Sequence, residues 1–196
     1  MIDAAPPAQV PATSAVSGAV LTGGASRRMG RDKAMLPVDG IEMARRVADA
    51  LAQSGCDPVV AIGGDGASLA DIGLRTVADE WPGEGPLGAI IVALRDATGP
   101  VLVVACDLPW LDAGTLGRLL AVATAAPTAD VVHAAGDRPE PLCALWRPSA
   151  LRVLEAVFSA GERAVHIAIA QLNAVACPVD AVAVTNINRP EDLPKR

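Results

Sequence analysis

Residues 21–33 read LTGGASRRMGRDK, and they gather the groups an anion site needs. Gly23 and Gly24 allow backbone N–H groups to approach oxygen closely, because no β-carbon obstructs them. Arg27, Arg28, Arg31 and Lys33 place a quarter of the sixteen lysines and arginines within seven positions. Arginine offers a planar fork and lysine a compact charge on a long stem, and both suit phosphate oxygens. Two carboxylates follow short apolar runs elsewhere: Asp79 after LRTVA, and Asp107 after VLVVAC. A carboxylate of this kind is the hard oxygen ligand that Mg²⁺ takes alongside substrate phosphates. An ordinary glycine-rich turn with solvated arginines, and a capping Asp107 ahead of Pro109, are the plain alternatives.

Two familiar phosphate loops are excluded. A P-loop needs four residues between its glycines and a lysine directly after the second. Here five residues separate Gly24 from Gly30, and Arg31 follows. The dinucleotide pattern G-x-G-x-x-G also fails, both here and at Gly64, Asp65, Gly66, where Leu69 stands in the last glycine's place.

The elements that must position these groups alternate along the chain. Strands are expected at 17–21, 58–62, 74–78, 101–105, 130–134, 142–146 and 176–184. Helices are expected at 41–54, 67–72, 86–97, 112–125, 148–159 and 163–172, with a last short one from Pro190. Continuous apolar VLVVA is the pattern of a central parallel strand covered on both faces. The alternation predicts an α/β fold: a doubly wound, mostly parallel sheet in three layers. In such sheets ligands bind beyond the carboxyl ends of the strands, so 22–33, Asp79 and Asp107 are expected to converge there.

Bulk properties narrow the class. A chain of 196 residues suits one domain, taken as 16–196, and the Ala- and Pro-rich residues 1–15 read as a disordered tail without the features of a secretory signal. No apolar run approaches the roughly 18 residues of a membrane helix. A net charge of −6 disfavours general nucleic-acid binding. Cys56, Cys106, Cys143 and Cys177 form no C-x-x-C pair and read as reduced, buried thiols of a cytoplasmic protein. His133 and His166 read as packing or surface residues.

The stretch LTGGASRRMGRDKAMLPVDG resembles the signature L-A-[GA]-G-x-S-x-R-M-G-x-D-K-x-x-L of the nucleotidyltransferases of the molybdenum cofactor, and of their guanine-using branch in particular. The likeness continues in order through ADEWPGEGPLGA, VACDLPW, EPLCALW, AGERAVHI and NINRPEDL, spanning 17–194. It implies a Rossmann-like nucleotidyltransferase fold and transfer of GMP from Mg-GTP to the terminal phosphate of molybdopterin, molybdenum-loaded in the physiological substrate.

The resemblance assigns roles position by position. Leu21, Thr22, Gly23 and Gly24 would wrap base and phosphates, Asp79 would bind the nucleotide, and Asp107 would bind both nucleotide and Mg²⁺. Lys33 and Arg28 would neutralise the triphosphate, with Lys33, Arg28 and Asp107 the catalytic set. Arg27 and Arg31 fit surface charges equally well, and Asp32 would orient the loop. Thr22 replaces the usual Ala, with its hydroxyl expected to face solvent or the ribose. Gly23 points to GTP, because CTP users generally carry Ala there. Relatives can carry Asn where this chain runs AIGGD, so backbone groups of Gly63 or Gly64 would have to substitute. Asn186 is a candidate contact for the pterin, and Asn188 reads better as a helix cap. The implied partners are GTP, molybdopterin and, transiently, the proteins that insert molybdenum and mature molybdoenzymes. A cytidylyltransferase on the same pterin, a sugar-phosphate nucleotidyltransferase and a non-catalytic GTP-binding regulator are the other readings.

Overall fold

The computed structural model describes residues 15–23 and 33–187. Its nine strands are β1 (Ser17–Leu21), β2 (Pro37–Val38), β3 (Ile41–Glu42), β4 (Val59–Ile62), β5 (Arg75–Val77), β6 (Val101–Ala105), β7 (Val131–Ala135), β8 (Pro139–Trp146) and β9 (Ala174–Pro178). The helices are α1 (Met43–Gln53), α2 (Gly66–Asp71), α3 (Pro86–Asp96), α4 (Ala113–Ala125), α5 (Leu151–Ser159) and α6 (Val165–Ile169). Seven strands form one sheet in the order β5-β4-β1-β6-β8-β7-β9, and β2 and β3 form a separate two-stranded pair. Only β8 runs against its neighbours in the large sheet.

Alternation along the central strands divides the core in two. Val20, Leu102 and Val104 face a layer built on α1 and α4. Ala19, Leu21, Val101 and Val103 face a layer built on α3, α5 and α6. These side chains are buried on both faces, as a parallel sheet between helical layers requires. The three-layer, mostly parallel α/β reading therefore holds.

The chain runs from β1 outward to β4 and β5, then returns to β6 on the other side of β1. The strand order reverses between β1 and β6, which makes the carboxyl ends of that pair the natural ligand crevice. Register aligns them closely: Leu21 stands opposite Ala105, so residues 22–23 and 106–107 leave the sheet side by side.

Several boundaries differ from the sequence reading. Ile41 belongs to a hairpin, because Asp39 (φ 51°) and Gly40 (φ 81°) make the left-handed turn that an Asp-Gly pair favours, and α1 starts two residues later. β8 begins at Pro139 rather than 142, extending past the end of β6. Residues 174–178 rather than 176–184 form the last strand, since Asp180 gathers the N–H of Val182 and starts a turn. The 163–172 helix shortens to α6, and the helix expected from Pro190 lies outside the described residues. All four cysteines are buried, and none forms a disulfide. His133 is buried with Nδ1 against the Ala134 carbonyl, and His166 is exposed. Among the described residues, no helix is long and apolar enough to cross a membrane.

Candidate active site

β1 ends on an apolar residue and turns immediately, so Thr22 and Gly23 must find backbone partners beyond the ladder. Both donate their N–H groups to the Ile62 carbonyl at the end of β4, at 3.1 and 3.2 Å. The Thr22 hydroxyl is also spent there, within 3.1 Å of the Ile62 carbonyl and 2.9 Å of the Gly63 carbonyl, and the residue is 7% exposed. The expectation that this hydroxyl faces solvent or the ribose is thus corrected: it latches the end of β1 to the turn after β4. That turn has left-handed backbone at Gly63 (φ 73°) and Gly64 (φ 79°). A β-carbon on Gly64 would lie 2.9 Å from Thr22 Oγ1 and 3.0 Å from Leu69 Cδ1, so glycine is required there on both counts.

Asp79 completes this wall. The Gly63 N–H donates to the Val77 carbonyl, which ties the turn to the end of β5 just ahead of Asp79. Asp79 Oδ1 accepts the Trp81 N–H at 2.9 Å. Its other oxygen lies 3.6 Å from where a Gly23 β-carbon would stand. Gly23, Gly63 and Asp79 therefore meet at the ends of three adjacent strands.

The 3-10 turn that Lys33 opens (Lys33–Met35) and the end of β6 bring a cation onto a carboxylate. The Lys33 ammonium donates to Asp107 Oδ2 at 2.9 Å, although 74 positions separate them in sequence. Their side chains are 12% and 21% exposed, so the pair is largely withdrawn from water. The other carboxylate oxygen, Asp107 Oδ1, is buried and accepts no hydrogen bond from the described residues. An ionised oxygen without a donor is costly inside a protein unless a ligand supplies the charge. Among the described residues, no group of three or more His, Cys, Asp or Glu side chains is arranged to hold a metal. The donor set is thus one hard carboxylate oxygen at a crevice mouth, which suits a cation that takes its other ligands from phosphate and water. The Ile187 N–H donates to the Asp107 backbone carbonyl at 2.9 Å, so exposed Asn186 stands beside the same strand end.

Two clusters emerge: Thr22, Gly23, Gly63 and Asp79 on one side, Lys33, Asp107 and the approach of Asn186 on the other. Gly24, Arg27, Arg28, Arg31, Asp32 and Asn188 lie outside the described residues.

Comparison with known proteins supplies a family. The MobA-like NTP transferase domain matches residues 18–184. The chain belongs to that family. A probable molybdenum cofactor guanylyltransferase of Opitutus terrae is 37% identical over 190 residues, covering 91% of this chain and 93% of the relative. The molybdenum cofactor guanylyltransferase of Rhodobacter capsulatus is 35% identical over 188 residues, with 91% and 93% covered. Among solved structures, the molybdopterin-guanine dinucleotide biosynthesis protein A of Archaeoglobus fulgidus superposes with a TM-score of 0.74 at 26% identity, covering 91% of this chain and 95% of that one.

For a MobA-like NTP transferase the crevice has one feature that the sequence reading missed. Glu140 heads β8, the strand antiparallel to β6, at the edge where β6 delivers Asp107. Partial burial raises its carboxyl above the usual range, the Leu142 N–H on Oε1 counters this, and the Asp107 charge raises it further. The signal was present as a charged residue opening the apolar run EPLCALW, but Pro139 and Pro141 disguised that segment as loop. Deeper in β8, burial pushes the Cys143 thiol well above its ordinary value, with the Glu140 charge adding to the effect. That thiol is a packing group.

Proposed function

We propose that the chain transfers GMP from GTP to the terminal phosphate of molybdopterin, giving the guanine dinucleotide form of the cofactor and pyrophosphate. The observation that carries this reading is the Lys33–Asp107 pair at the point where the strand order reverses, with one Asp107 oxygen buried and unpartnered among the described residues. The guanylyltransferase relatives and the signature from Leu21 to Leu36 support the choice of guanine and pterin.

The pterin phosphate is already an anion, so it attacks the α-phosphorus without a general base. One P–O bond forms, the bond from the α-phosphorus to its bridging oxygen breaks, and the electron pair leaves with pyrophosphate. The protein's work is positioning and charge stabilisation. Lys33 supplies a fixed positive charge where charge develops on the leaving group, and Arg28 would add a second. Asp107 would hold Mg²⁺, which when bound neutralises phosphate charge. Gly23 and the Gly63–Gly64 turn form the wall that would face the base, with the Gly23 and Gly63 N–H groups spent on holding that wall together, Asp79 stands on the same wall, and Asn186 is the candidate contact for the pterin.

A competition experiment tests the base choice. GTP should displace a fluorescent GTP analogue in Mg²⁺ buffer at concentrations at least tenfold below those of CTP or ATP. Preference for CTP would move the chain to the cytidylyltransferase reading, and failure of all three nucleotides would remove the nucleotide site altogether.

A further inference from the structure

Two segments of the ordered likeness, ADEWPGEGPLGA and AGERAVHI, lie far apart in sequence yet touch in space. Residues 78–85 connect β5 to α3 and carry Asp79, which the Trp81 N–H orients. The Trp81 ring packs on Phe158 of α5, with centroids 4.9 Å apart and planes inclined at 49°. Gly88 makes room for this, since a β-carbon there would lie 3.2 Å from Trp81 and 3.4 Å from the Phe158 ring.

Two arginines lock the arrangement. Arg95 of α3 lies 5.3 Å from the Trp81 ring centroid and bridges Glu80 (2.7 Å) to Glu155 of α5 (2.7 Å). Arg163 lies 3.9 Å over the Phe158 ring, donates through Nε to Glu84 at 2.7 Å, and donates through Nη1 to the carbonyls of Phe158 and Glu162. Each letter of the GER segment has a structural task. Gly161 (φ 92°) closes α5, and Glu162 Oε1 accepts the N–H groups of Arg163 and Ala164 at 2.7 and 2.8 Å. The turn so fixed aims Arg163 at Glu84.

From this geometry we propose that Arg163, assisted by Arg95, is a positioning residue for nucleotide binding, acting through Glu84, Trp81 and Asp79 without touching the nucleotide. The Nε and Nη1 donors of Arg163 are committed to Glu84 and two carbonyls, which sets it apart from a phosphate-binding arginine. The inference rests on the reading of the β1–β4–β5 wall as the nucleotide side. The ion pairs are more than one-third exposed, so each contributes up to about 1 kcal/mol, a factor of roughly five. A loop tied down by such contacts loosens when one is removed, and the fold survives.

The test compares Arg163→Gln, Glu84→Gln and Arg163→Lys in the full chain. Hydrogen exchange of residues 78–85 is read without nucleotide, and kcat and KM are read with Mg-GTP and molybdopterin. Arg163→Gln and Glu84→Gln should each speed exchange of 78–85 and raise the GTP KM roughly two- to fivefold. kcat, the pterin KM and Tm should stay near wild type, and Arg163→Lys should recover part of the loss. The Glu84 variant decides against simple electrostatics: deleting an acidic charge near an anionic ligand would otherwise lower the KM. A lowered KM in Glu84→Gln, or unchanged exchange in both variants, would overturn the proposal. If wild type fails to use GTP, the functional reading fails, while the exchange measurement still decides whether Arg163 braces this loop.

Discussion

Replacing Thr22 by Val isolates the latch between β1 and the turn after β4. The substitution keeps volume and branching but removes the hydroxyl, and it sets a methyl where Oγ1 now sits 2.9 Å from the Gly63 carbonyl. The Ile62 carbonyl keeps the N–H groups of Thr22 and Gly23, so the uncompensated loss falls on Gly63. Leaving one such acceptor unpaired costs about 1–3 kcal/mol, and the extra apolar group recovers part of it. A net loss of about 1.5 kcal/mol corresponds to a Tm lowered by about 3–6 °C for a chain of this size. The methyl also pushes the Gly63–Gly64 turn outward, away from the position that faces Gly23 and Asp79. The GTP KM should therefore rise several-fold with kcat nearly constant, and Thr22→Ser, which keeps the hydroxyl, should behave as wild type. Calorimetry and steady-state pyrophosphate release read both effects. A Thr22→Val protein with unchanged Tm and KM, or a Thr22→Ser protein as impaired as the Val variant, would refute the latch.

Other substitutions probe the remaining parts of the crevice. Asp107→Ala should reduce turnover by at least about a hundredfold, the scale of losing one preorganised electrostatic group, and near-normal turnover would exclude Asp107 from the site. Gly23→Ala should fold with unaltered Tm, because a β-carbon there comes no nearer than 3.6 Å to its non-adjacent neighbours among the described residues, while the methyl beside Asp79 weakens GTP relative to CTP in competition assays. Glu140→Gln should raise the Tm at pH 7. Because the folded-state value is raised, ionised Glu140 carries a penalty that grows as pH rises from the unfolded-state value to the folded one. The difference between variant and wild type should vanish near pH 4 and persist at neutral pH; a gap independent of pH would contradict this.

The parts of the fold legible in sequence were those where one local pattern dominates. Ser17–Leu21 (SGAVL) and Val101–Ala105 (VLVVA) are short runs of small and β-branched residues that turn polar within a residue or two of their carboxyl ends, and both strands fall where the runs do. Where two patterns compete, the boundary moved. Ile41 fits the helical spacing of Ala44 and Val47, yet the Asp39–Gly40 turn claims it for a hairpin. Pro139 and Pro141 read as loop, yet β8 tolerates them because it runs past the end of β6 there and pairs with β7 through an irregular register. Lys33 and Asp107 were legible as types, but their meeting joins groups 74 positions apart and belongs to the tertiary fold. Glu140, Arg163 and the Thr22 hydroxyl act on Asp107, Glu84 and Gly63, 33 to 79 positions away, and no local spacing encodes such contacts.

The most direct measurement is product formation by the purified protein from Mg-GTP and molybdopterin, with pyrophosphate and the pterin dinucleotide quantified together. The account predicts equal amounts of pyrophosphate and guanine dinucleotide, abolished in Asp107→Ala. Tight GTP binding without either product would contradict it.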